Sequence, residues 1–213
     1  MHLIDYVLHL DRFILPVIHS FGPSIYALFF FIIFAETGFV VTPFLPGDSL
    51  LFIVGAFAGS GYLNIWLAYI VFLLAAILGN MLNYWIGYKF GHKFFTHKDS
   101  RWLNKENLAR THEFFEHYGG KTIIITRFIP IIRTIAPFVA GMGSMKHSTF
   151  MIYNIIGGFL WVTIVTFIGY FFGNSKIVKD NFEIAIFAVV VISLLPAFYE
   201  YIRHKRNKKK NKN

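Results

Sequence analysis

From Asn64 to Tyr88 the chain runs without one charged side chain, and the run from Ser148 to Phe172 does the same. A third stretch, Ile184 to Ile202, is nearly as apolar. Each approaches the 20 or so residues that a helix needs to cross the hydrocarbon core of a bilayer. In lipid the backbone has no water to bond, so such runs must be helical. Composition points the same way. Of the 213 residues 56% are hydrophobic and only 15% charged, against about 25% charged in soluble domains, and the mean hydropathy is +0.57. The sequence predicts an all-α polytopic membrane protein.

The ends and the loop are of a different character. Residues 1–22, which mix apolar side chains with Asp5, Asp11 and Arg12, suit an interfacial amphipathic segment. They show neither a basic n-region nor a small-residue cleavage site, so no removable signal peptide is expected. The lack of cysteine excludes a disulfide framework, a thiolate nucleophile and a cysteine metal site. The net charge of +9 is uneven: most of the 20 Lys and Arg fall between Lys89 and Lys121 or between Arg203 and Lys212. The positive-inside rule puts both clusters, and so the C-terminus, in the cytoplasm. Because the tail directly follows a spanning segment, it suits anionic lipid headgroups, and nucleic acid is not an expected partner. In the loop, "HEFFEH" (His112 to His117) misses both zinc-protease spacings. It reads as the polar face of an interfacial helix whose other face carries Leu108, Phe114 and Phe115. No metal and no cofactor are expected.

The chain also repeats itself. "FLPGD…GAFAG" (Phe44 to Gly59) and "FIPII…AGMG" (Phe128 to Gly143) share Phe-x-Pro with a glycine fifteen residues after the Phe. Farther on, "IGYKFG" (Ile86 to Gly91) matches "IGYFFG" (Ile168 to Gly173), with spacings that differ by two residues. Each half reads as a Pro-broken re-entrant hairpin plus a spanning helix, with breaks at Pro43, Pro46, Gly47, Pro130 and Pro137. The charge bias runs the halves in opposite directions, as two inverted repeats, a design in which broken segments meet at the bilayer midplane. The expected divisions are a core at residues 23–173, a C-terminal spanning helix at 174–203 and a basic cytoplasmic tail at 204–213. Within the core, repeat 1 covers about 23–91, a basic cytoplasmic loop about 92–120, and repeat 2 about 121–173. Whether the hairpin arms cross fully, and on which side the N-terminus lies, stays open.

Four ionisable residues fall inside apolar stretches: Glu36, Asp48, Arg127 and Arg133. An arginine at the bilayer centre costs roughly 2.5 to 3.5 kcal/mol, so some interaction must offset the pair. Structural explanations exist for each: Asp48 as the N-cap of a returning arm, Glu36 in a salt bridge, the arginines neutralised by the acids or snorkelling. The functional alternative uses the same groups. Guanidinium grips phosphate in a bidentate fork, while a buried carboxylate near cations can exchange a proton. Arg127 and Arg133 are thus candidate phosphate-binding residues and Glu36 and Asp48 candidate proton-coupling residues. Asn80, Asn83, Thr126 and Thr134 are candidates to line the pathway, against the competing role of polar helix packing.

The block "FAETG…PGDSLLFIVGAFAG…GN…NYWIGYKFG", followed by "YGGKTIIITRFIPIIRTIAPFVAGMG", resembles the DedA family, also known for its VTT or SNARE-associated-Golgi domain. The match runs from Pro23 to Gly173. The resemblance implies paired re-entrant hairpins and a function in the bacterial cytoplasmic membrane linked to the proton motive force. It also implies essential acids and bases at Glu36, Asp48, Arg127 and Arg133, all four of which are present. Members are implicated in returning undecaprenyl phosphate across the membrane, others in moving phosphatidylethanolamine, and eukaryotic relatives in scrambling phospholipid. The expected activity is therefore proton-coupled translocation of a polyprenyl phosphate, with membrane lipid and protons as partners and no catalytic residue. The alternatives are a phosphatidylethanolamine flippase or scramblase and a proton-coupled small-ion antiporter. Acid-phosphatase motifs are missing, so an enzyme is not expected. The lipid headgroup, the direction, the ion stoichiometry and the oligomeric state, homo-oligomer included, stay open.

Overall fold

The structure, a computed structural model, describes residues 21–39, 47–94 and 105–175. Most of the predicted interfacial segment, Pro43 and Pro46, the third predicted spanning helix and the basic tail lie outside the described residues. Among the described residues every regular element is helical: α1 (Ser24–Gly38), α2 (Gly47–Gly59), α3 (Ile65–Phe94), α4 (Lys105–Tyr118), α5 (Thr122–Ile125), α6 (Pro130–Val139) and α7 (His147–Asn174). Apolar stretches of 27 and 28 residues in α3 and α7, Ile65–Gly91 and His147–Asn174, are long enough to cross a membrane, at about 40 Å each. With 15 and 13 residues, α1 and α2 reach only about 20 Å, short of the roughly 30 Å core.

The long helices carry large apolar side chains on their outer surface, and polar side chains lie buried among an apolar core. Trp66, Ile70, Leu74 and Trp85 on α3, and Ile152, Phe159, Ile164 and Phe171 on α7, are exposed. Asn80, Asn83, Asn154, Thr126, Thr134, Glu36 and Arg127 are buried. An apolar outer surface with its polar side chains turned inward is what a bilayer solvent selects.

The chain packs as two compact units. One comprises Tyr26–Leu45 and Trp66–Val165, the other Met1–Ile25, Pro46–Ile65 and Thr166–Asn213. In the first, the apolar segment after α4 does not form one helix. A 3-10 turn at Thr126–Phe128 leads to Ile129 in extended conformation (φ −115°, ψ 106°), and α6 starts at Pro130. A residue before proline is pushed out of helical space. Proline itself suits the first helical position, where its missing N–H costs nothing. The break leaves little unpaired backbone: Ile129 N–H donates to Thr126 O (2.9 Å) and Ile129 O accepts from Arg133 N–H (2.9 Å). Pro137, expected at a break, instead lies inside α6. There it forgoes the N–H bond to the Arg133 carbonyl one turn back, and its ring crowds that carbonyl, two residues before the helix ends at Val139. The segment ends in a wide turn over Ala140–Ser144, where Gly143 takes φ 117°, a conformation open to glycine.

Glycines set the closest helix contacts. A Cβ on Gly87 of α3 would stand 2.1 Å from Phe138 O, and one on Gly141 would stand 2.0 Å from Tyr84 O. Backbone therefore meets backbone where α3 crosses α6 and its closing turn. In the other unit the pattern recurs between α2 and the end of α7: a Cβ on Gly169 would lie 2.2 Å from Phe52 O, and one on Gly55 2.2 Å from Thr166 O. The loop helix α4 presents His112, Glu113, Glu116 and His117 outward, with His112 Nε2 3.5 Å from Glu116 Oε1. Phe114 and Phe115 pack against Ile123, Ile132 and Phe150, and Thr122 Oγ1 donates to Phe114 O (2.7 Å). The Leu108 side chain lies outside the described residues.

Candidate functional site

In the unit built from α1, α3, α6 and the first part of α7, three of the charged residues picked out from sequence come together. Glu36, in the last turn of α1, has 0% exposure. Its position follows from how that helix end is seated. Thr37 presses on Gly79 of α3, where a Cβ would stand 1.9 Å from Thr37 Oγ1. Asn83 Nδ2 donates to Thr37 O (3.1 Å) and to Thr134 O (2.8 Å), so one amide ties the end of α1 to α6. One residue before Thr134, Arg133 Nη2 donates to Glu36 Oε1 in a buried ion pair.

Arg127 is held differently. It is 4% exposed, and its Nη2 donates to Asn154 Oδ1 (2.6 Å), Asn154 O (3.3 Å) and Ala76 O (3.5 Å). All three acceptors are neutral. Its Nε has no acceptor, and no carboxylate pairs with it among the described residues. The side chain lies along α7 because Gly157 and Gly158 leave room: a Cβ on Gly157 would stand 3.1 Å from Arg127 Cδ. Trp161, 2% exposed, serves both cations, its ring 5.5 Å from Arg133 Cζ and 6.0 Å from Arg127 Cζ. Such cation–π contacts are worth about 0.5 to 2 kcal/mol each.

Among the described residues, two guanidinium groups and one carboxylate leave this cluster one positive charge in excess. A buried ion costs several kcal/mol unless well compensated; neutral oxygens and an indole face compensate Arg127 only in part. An anion would complete the set, and fork-shaped donors favour phosphate or carboxylate.

Thr37, Asn80, Arg127, Arg133, Thr134 and Trp161 line a cavity of about 10 Å³. That leaves room for about one water, too little for a phosphate. Glu36 occupies Arg133, and the Trp161 ring lies within 6.0 Å of both cations. Of the other predicted pathway residues, Asn83 is buried beside the cavity, bonded to backbone. Thr126 does not line it: its hydroxyl donates to Thr122 O (2.6 Å), one turn back. Asp48 belongs to the other unit, half-buried in the first turn of α2, where a carboxylate suits the helix dipole. Gly47, predicted at a break, is the first residue of that helix.

Asn154, Trp161, Thr37 and the Gly157–Gly158 pair are part of the site that sequence reasoning passes over. Their signal was spacing. Asn154, Gly157, Gly158 and Trp161 recur every three or four residues and so share one face of α7.

The family model described as VTT domain matches residues 45–171. The chain is 49% identical over 206 residues to Protein DedA of Escherichia coli K12, covering 96% of this chain and 94% of that protein. It is 40% identical over 166 residues to an uncharacterised membrane protein of Mycobacterium leprae, covering 78% and 74% of the two chains. It is 33% identical over 156 residues to inner membrane protein YqjA of E. coli K12, covering 72% and 70%. No solved structure matches. The chain belongs to the VTT-domain, or DedA, family of membrane proteins.

Proposed function

We propose that this protein is a proton-coupled lipid translocase of the bacterial cytoplasmic membrane, moving undecaprenyl phosphate or a similar polyprenyl phosphate. The observation that carries the reading is the excess positive charge on Arg127, buried with neutral acceptors beside an Arg133 already occupied by Glu36. Protonating Glu36 releases Arg133, and two guanidinium groups then face the phosphate; deprotonation returns Arg133 to the carboxylate and expels the anion. Asp48 acts as the second proton-coupling acid. The polyprenyl tail stays in lipid while the protein shelters the headgroup. The protein is a carrier rather than an enzyme, with its basic loop and C-terminus in the cytoplasm.

The transport core is an inverted pair of broken hairpins, each with one spanning helix. The repeated glycine crossings support this: α6 and its closing turn against α3 in one unit, α2 against α7 in the other. The cavity's size favours a second reading, a proton-coupled small-ion antiporter. A phosphatidylethanolamine carrier needs Glu36 to meet the amine, and the ion pair with Arg133 opposes that.

The test is reconstitution in liposomes containing undecaprenyl phosphate or phosphatidylethanolamine, with and without a pH gradient. Gradient-dependent movement of the phosphate lipid is expected. Movement of phosphatidylethanolamine alone, or ion flux without lipid movement, overturns the proposal in favour of its rivals.

A further inference from the structure

Asn154 is fully buried in the middle of a spanning helix, and every polar atom of its side chain is used. Its Oδ1 accepts from Arg127 Nη2 at 2.6 Å and from Asn80 Nδ2 at 3.2 Å, and its Nδ2 donates to Ile77 O at 3.0 Å. The amide's orientation is dictated, because a guanidinium can only donate and so must face the oxygen. With its backbone carbonyl also accepting from Arg127 at 3.3 Å, Asn154 supplies two of the three oxygens on that guanidinium. Asparagine and aspartate have nearly the same shape. A carboxylate here would meet the same donors, and its second oxygen alone would face the Ile77 carbonyl. The neutral amide fixes Arg127 in direction without cancelling its charge.

We infer that Asn154 is the positioning residue that keeps Arg127 a buried, un-neutralised cation, and that its lack of charge determines whether the cavity takes an anion. The inference rests on the proposed phosphate reading for its functional half and on geometry alone for its structural half. The charged groups nearest position 154 are Arg127, which it touches, and, lining the same cavity as Arg127, Arg133 with its partner Glu36; Asn80 on α3 is neutral.

Two measurements on the purified full chain separate the halves. The first is the thermal midpoint in detergent without ligand. N154D is expected to raise it by about 2–4 °C, because the new carboxylate neutralises a buried cation. N154A, which strips Arg127 of its shortest bond, lowers it. In an R127M background, N154D lowers it too, since the carboxylate then has no guanidinium to meet. A fall for N154D alone as large as that for N154A, or failure of N154D to fold, overturns the inference. The second is the midpoint shift on adding a short-chain polyprenyl phosphate, with inorganic phosphate in parallel. The wild type is expected to be stabilised, and N154D to need at least about tenfold more phosphate for the same shift, since the anion must displace a bound carboxylate. Equal shifts in wild type and N154D overturn the functional half. No shift in the wild type sinks the phosphate reading itself, while the first measurement still decides the role of Asn154.

Discussion

Replacing Glu36 by glutamine removes one charge and almost no volume. Glu36 has 0% and the Arg133 side chain 10% exposure, so solvent screens the pair weakly. At an effective dielectric near 20, opposite charges about 4 Å apart attract by about 4 kcal/mol. Glutamine keeps an oxygen for Arg133, worth about 1 kcal/mol, so E36Q should lose about 2–3 kcal/mol of stability. The proposed mechanism makes that loss reappear as affinity, because a phosphate no longer competes with a carboxylate for Arg133. At 1.4 kcal/mol per factor of ten, binding of a short-chain polyprenyl phosphate should tighten by about thirtyfold to 150-fold. Calorimetric titration in detergent across a pH series is the assay. Wild-type affinity should climb as the pH falls and Glu36 takes up a proton, approaching an E36Q value that no longer depends on that titration. Weaker binding by E36Q, or a pH profile the same as wild type, would refute the competition between carboxylate and phosphate.

Three further outcomes are expected. R127A and R133A should each abolish lipid translocation in liposomes, while membrane insertion, followed by fractionation, stays intact or improves because a costly charge is gone; normal transport by both ends the phosphate-grip reading. D48N should flatten the pH dependence of transport in the same liposomes, and an unchanged profile removes Asp48 from the proton path. G169V should drive its side chain into the Phe52 carbonyl, which a Cβ alone would approach to 2.2 Å; an overpacking cost of about 1–3 kcal/mol should lower the thermal midpoint by about 2–12 °C.

Glu36, Arg127 and Arg133 were legible from sequence because a charge in an apolar run has few innocent explanations. Which acid meets which base was not legible. The pairing of Glu36 with Arg133 depends on Asn83 and Gly79 seating the end of α1, contacts between segments far apart in the chain. Asn154 and Trp161 escaped notice for a different reason: in a helix rich in Phe, Ile and Gly, one amide and one indole look like packing. Pro137 misled because proline usually ends helices, yet here the helix passes it and the segment closes on Gly143. Residues at the crossings are clearer in retrospect. "IGYKFG" and "IGYFFG" recur because each places glycine where a second backbone must pass within contact distance.

Arg127 precedes Ile129 in a tight turn and Arg133 follows it in a helix. If the two arginines grip an anion as proposed, the jaws are mounted on opposite sides of a single joint, and that residue's torsion angles help set the interval between their charges. A caliper built this way would adjust to the width of its load at one pivot, without a helix sliding along its neighbours.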